Sequence, residues 1–118
     1  MFKLVENYEY EWPVIVQVPV DGGKHEAQEF TARFLAIESD RAEELLKSPT
    51  LLAGPSAGQI KEFLREAIVG WGEDVADKDG ASINFSDKAR EKLIQIPYVR
   101  NALFEAYGES VRGRSEKN

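Results

Sequence analysis

Cysteine is absent from this 118-residue chain, and histidine and methionine occur once each. No disulfide, thiolate zinc centre or cysteine nucleophile can form, so stability has to come from packing, and the composition fits a reducing compartment. Basic charge is in short supply. Fifteen Lys and Arg face 21 Asp and Glu, a net charge of −6 with pI ≈ 4.9, which leaves no electrostatic footprint for nucleic acid or an anionic membrane. Long apolar runs are missing too. None approaches the roughly 20 residues that span a bilayer. Glu6, Glu9 and Glu11 precede the apolar stretch at 14–20, and Pro13 and Pro19 interrupt it, the wrong pattern for a signal peptide. A soluble, untargeted, cytoplasmic protein is expected. What remains is an ordinary globular balance, 42% hydrophobic and 31% charged, enough for one small folded domain.

Catalytic and metal-binding patterns fail on their spacing. Asp77, Asp79 and Gly80 match the third, fifth and sixth positions of a calcium loop counted from Val75. That register puts Val75 and Ser86 where the first and twelfth carboxylates belong, so an acidic turn at Asp79-Gly80 is expected and no metal site. His25 stands alone beside a turn, with no nucleophile-elbow pattern elsewhere. Gly22-Gly23-Lys24 lacks the glycine spacing and following Ser or Thr of a phosphate loop. The acidic pairs Glu43-Glu44, Glu73-Asp74 and Asp77-Asp79 have no apolar surroundings that would separate their pKa values. Neither an enzyme nor a cofactor-binding protein is expected.

Periodicity supplies the architecture. Val14, Val16 and Val18 alternate with Ile15, Gln17 and Pro19, a period of two, and beyond the turn Asp21-Gly22-Gly23-Lys24 the residues Phe30, Ala32 and Phe34 line one face. A β-hairpin follows. Phe2 to Tyr10 is a candidate third strand, rich in aromatics but poor in alternation. Four short helices come next. Asp40 with Glu43 makes a capping box for the first, which runs to Lys47 before Pro49; Ser56 with Gln59 makes one for the second, whose apolar stripe is Ile60, Phe63, Leu64, Ala67, Ile68 and Trp71. Ser86 is the N-cap of the third, with Asp87 in its first turn. Pro97 opens the fourth, whose stripe of Val99, Ala102, Leu103, Ala106 and Tyr107 is expected to stop at Gly108. The expected fold is therefore α+β, one domain over residues 1–112 with a frayed tail at 113–118.

Two features sit outside this scheme. Leu51-Leu52 lies in a loop bounded by Pro and Gly, and either caps the core or forms part of a partner patch. Trp71, between Gly70 and Gly72, either completes the stripe of the second helix or anchors a partner. Leu51, Leu52 and Trp71 are the candidate partner-binding residues.

The succession Trp12-Pro13-Val14, Val18-Pro19, Gly22-Gly23-Lys24, Phe30-x-Ala32-x-Phe34, Gly70-Trp71, Asp79-Gly80, Phe85-Ser86, Ile96-Pro97 and Ala106-Tyr107 resembles phage tail assembly chaperones in order, over residues 12–107. The resemblance implies a phage or prophage protein of the bacterial cytoplasm, absent from the mature virion. Such a protein binds the tape-measure protein and keeps it soluble during tail assembly, with the major tail-tube protein and further copies of itself as additional partners. It carries no catalytic residues to transfer. The alternative from another class is a minor structural or tail-completion protein retained in the virion.

Overall fold

In the hairpin the period of two becomes β1 (Glu9–Val20) and β2 (Lys24–Leu35), antiparallel and in register from Glu9 opposite Leu35 to Val20 opposite Lys24. A computed structural model describes residues 1–47 and 54–113. Gly22 and Gly23 turn the chain with φ of 87° and 73°, a left-handed conformation that costs glycine no steric penalty. Val14, Val16, Phe30, Ala32 and Phe34 are buried on one face, while Glu11, Ile15, Gln17, Glu29 and Arg33 on the other are exposed. The sheet is therefore covered on one side only. β1 begins earlier than expected, absorbing Glu9 and Tyr10, and residues 1–8 form no strand.

Pro13 sits inside β1 without breaking the ladder. Its partner Thr31 donates its N–H to the Asp74 carboxylate at 3.1 Å and accepts from Gly72 N at 3.4 Å, so both peptide groups of Thr31 point away from β1. The Pro13–Thr31 pair is a non-hydrogen-bonded one, and the alternation puts Pro19–His25 in the same class. Both missing N–H groups fall on the outer edge of β1, where proline is tolerated.

The third strand is a correction. Helix α2 (Ala57–Ala67) does not continue to Trp71; at Ile68 the backbone turns to φ −98°, ψ 113°, and β3 (Ile68–Trp71) pairs antiparallel with the far edge of β2, with a register shift between Arg33 and Phe34. The sheet order is β1-β2-β3. Ile68 and Val69 are β-branched and Gly70 follows, a run that helix tolerates poorly and an open sheet edge accepts. An apolar Ile68 is buried in either state, so its position in the stripe did not distinguish them.

Among the described residues four helices complete the α+β fold. The start of α2 is the expected capping box: Ser56 Oγ accepts from Gln59 N at 3.1 Å, and Gln59 Oε1 accepts from Ser56 N at 2.8 Å. Helix α1 (Ser39–Leu46) starts one residue before Asp40, with Glu38 as N-cap and no side-chain cap bond, so the Asp40-Glu43 box does not form. In α3 (Asp87–Ile94) Ser86 Oγ accepts from Ala89 N at 3.0 Å. Ile96, held extended by Pro97, introduces α4 (Pro97–Arg112). Gly108 does not stop α4, which runs four residues further to Gly113 at φ 68°. Ser110 secures that last turn, its Oγ donating to Tyr107 O at 2.7 Å and lying 2.6 Å from the Tyr10 hydroxyl.

These elements close one core. Val14, Phe34, Phe63, Leu64, Ile68, Ile94 and Leu103 are its largest fully buried side chains, drawn from both hairpin strands, α2, β3, α3 and α4. Tyr107 stands edge-on to Phe34 at 5.5 Å and to Phe63 at 5.0 Å, joining the hairpin to α2. At residues 75–83 the acidic segment is a tight turn. Asp77 Oδ1 accepts from the N–H groups of Asp79 and Ala81 at 2.9 and 3.0 Å, and Gly80 has φ 87°.

Candidate functional site

Helix α1 is the least anchored element. None of its residues is fully buried; Ala42, Leu45 and Leu46 are half-buried against the core, and Arg41 braces it to α2 by pairing with Glu66 and, within α1, with Glu44. The Arg41 guanidinium holds the Glu66 carboxyl below its ordinary range. Between α1 and α4 runs an open groove of about 400 Å³, walled by Ala42 and Leu46 on one side and Phe104 and Val111 on the other, with Phe63 at its base. The Phe63 and Phe104 rings meet edge to face at 5.7 Å, and Val111 is 54% exposed at the rim. Glu105 and Arg112 supply the charged border.

An apolar trough between two helices, bordered by one acid and one base, has the form and polarity of grooves in which amphipathic helices dock. Helix α1 is attached through half-buried side chains and exposed ion pairs, so its separation from α4 is the soft coordinate of the trough. His25 lies exposed opposite Pro19 in the hairpin. Among the described residues there is no group of three or more His, Asp or Glu side chains able to hold a metal ion, and no helix long and apolar enough to cross a membrane.

Of the candidate partner residues, Trp71 falls among the described residues. Trp71, at the end of β3, is half-buried; its Nε1 donates to Ile83 O at 2.7 Å and its ring stands edge-on to Phe85 at 4.9 Å. It therefore ties the sheet to the loop before α3, and its polar handle is already used. Leu51 and Leu52 lie outside the described residues. The chain leaves α1 at Lys47, whose carbonyl oxygen accepts from Gln59 Nε2 in the first turn of α2.

On the other flank α3 is locked to α2. Arg65 donates to both carboxylate oxygens of Glu91 at 2.9 and 2.8 Å, and Lys61 donates to Gln95 at 2.9 Å. The guanidinium, with help from the Gln95 amide, pulls the Glu91 carboxyl down to about 2. Arg90 reaches through to Ile68 O at 3.0 Å and lies over the Phe85 ring, fastening α3 to the start of β3. These are structural ties.

Phe104, Val111 and Leu46 were not singled out by the sequence as binding residues. Phe104 falls off the main stripe of α4, and Val111 lies beyond Gly108 where the helix was expected to have ended; an apolar residue past the predicted stop was the available signal. No protein-family model, curated protein or solved structure matches the chain.

Proposed function

We propose that this protein is a phage or prophage tail assembly chaperone that binds the tape-measure protein and keeps it soluble until the tail tube encloses it. What carries the proposal is the ordered succession of signals over residues 12–107, from Trp12-Pro13-Val14 to Ala106-Tyr107. The trough between α1 and α4 suits it: a tape-measure chain rich in amphipathic helix exposes apolar stripes, and Leu46, Phe104 and Val111 form a matching apolar channel. A net charge of −6 spread over several bound copies opposes association of the complexes. The protein acts in the bacterial cytoplasm, also meets the major tail-tube protein, and leaves before the virion is complete.

Coexpression with a cognate tape-measure protein is the direct test. Wild type should raise the soluble tape-measure fraction with dose and copurify with it. Val111→Asp, at an exposed rim position, should weaken copurification without lowering the melting temperature, and Leu51→Glu with Leu52→Glu should do the same if that segment continues the patch. A tape-measure protein that stays insoluble and unbound, together with detection of this chain in purified virions, would replace the chaperone by a minor structural or tail-completion protein.

A further inference from the structure

The two outer edges of the sheet are not equivalent. The edge of β1 carries Pro13 and Pro19 in place of donors, and α4 packs alongside it, with Ala102 and Glu105 facing Pro13 and Ile15 across a cleft. Such an edge resists strand addition. β2 is covered by β3 only from Ala32 to Phe34. Thr31 turns its peptide groups to that same side, so the alternation directs those of Ala27 and Glu29 outward as well. No backbone or side-chain group among the described residues is bonded to either N–H.

An open apolar groove of about 310 Å³ adjoins this bare stretch. Val18 and Phe30 form its floor, Val75 one wall, and Ile96 and Tyr98 the other, and Glu29 and Asp74 stand at its border. The protein also carries an unpartnered apolar segment. Phe2 and Leu4 are each 86% exposed, and Lys3 lies between them. A turn at Glu6-Asn7, with Asn7 at φ 53°, leads this arm away from the body.

We propose that residues 2–5 of one copy add as a strand to the bare edge of β2 in a second copy, with Phe2 and Leu4 seated in the groove and Lys3 facing Glu29. The parity is consistent. Residues directly opposite share a face, so a strand that sets Lys3 against Glu29 on the open face sets Phe2 and Leu4 level with Gln28 and Phe30 on the groove face. A slip of one residue would place Lys3 in the apolar groove, which selects this register.

The occupant is a second copy because the arm cannot reach its own groove. Tyr8 O accepts from Ala36 N at 2.9 Å, which fixes the root of the arm level with Ala36. Glu29 lies seven residues back along β2, about 23 Å, whereas the five residues from Tyr8 to Lys3 span at most about 18 Å. Exchange between copies closes as a reciprocal dimer or propagates as a chain, since an arm-to-edge contact is heterologous. This inference is independent of the chaperone proposal.

Sedimentation of the full chain across a concentration series tests it. Wild type should self-associate. Phe2→Asp with Leu4→Asp, which spoils the arm, and Ala27→Pro, which removes an outward N–H at a position equivalent to Pro13, should each weaken association by on the order of 100-fold with unchanged circular dichroism. Mixing the two variants should restore one joint per pair and give a heterodimer. Lys3→Glu and Glu29→Lys should each weaken the contact and, combined, restore it. The proposal is overturned if wild type stays monomeric, if the arm variant associates like wild type, or if the mixed variants show no heterodimer while both remain folded.

Discussion

The Tyr107 hydroxyl accepts the backbone N–H of Ile37 at 2.9 Å, tying the middle of α4 to the chain just after β2. The bond crosses 70 residues of sequence and satisfies a partly buried amide at the point where the sheet gives way to α1. Tyr107→Phe keeps the ring between Phe34 and Phe63 and deletes only the acceptor. It should cost about 1–3 kcal/mol in denaturant unfolding. A loss near zero would mean that water replaces the hydroxyl there.

Phe34 and Phe63 are almost fully buried and share Tyr107 as a neighbour. Phe34→Ala and Phe63→Ala should each destabilise by about 3–5 kcal/mol. Their effects should not add, because both cavities open onto one ring; a double-mutant cycle should return a coupling of about 0.5–3 kcal/mol.

Trp71 acts within the fold. Trp71→Phe retains an aromatic against Phe85 and leaves Ile83 O without its donor, so a loss of about 0.5–1.5 kcal/mol is expected. Copurification of a partner should be unchanged wherever the variant is folded. Lost binding with intact stability would return Trp71 to the partner surface.

Two glycines of α4 should respond in opposite directions. Gly113, at φ 68°, is the helix terminator, and Gly113→Ala should destabilise by roughly 1 kcal/mol. Gly108 lies inside the helix, where an added methyl would meet only the flexible end of Arg112, at 3.1 Å. Gly108→Ala should be stabilising by about 0.5–1 kcal/mol, read as a rise in the denaturation midpoint.

Glu91 sets an acid dependence. Its carboxyl is pulled from the ordinary 4.5 to about 2 by the Arg65 guanidinium and the Gln95 amide. The unfolded chain therefore binds more protons at this group than the folded one between those values, and stability rises with pH across that window. The contribution is complete above about pH 5 and lost as pH falls towards 2, and the exposure of both partners limits it to at most about 1 kcal/mol. Arg65→Gln should flatten the stability profile between pH 2 and 5 by lowering stability at neutral pH by up to that amount while leaving the value near pH 2 nearly unchanged.

Local chemistry, legible in the chain alone, settled the hairpin, its buried face and most helix starts. Val14, Val16, Phe30, Ala32 and Phe34 alternate because a strand has period two, and Ser56, Ser86 and Pro97 mark helix starts because each satisfies or omits a backbone donor within three residues of itself. Decisions that depend on distant partners were not legible. Residues 68–71 became a strand because β2 presented an unpaired edge, and α4 passed Gly108 because Tyr10 reaches Ser110 across 100 residues of sequence. The trough and the bare β2 edge have the same origin: Leu46, Phe104 and Val111, or Val18, Val75 and Tyr98, are scattered in sequence and acquire a shared surface only when helices and sheet pack. Burial and exposure of an apolar side chain are set by what stands opposite it, and that is a property of the folded chain.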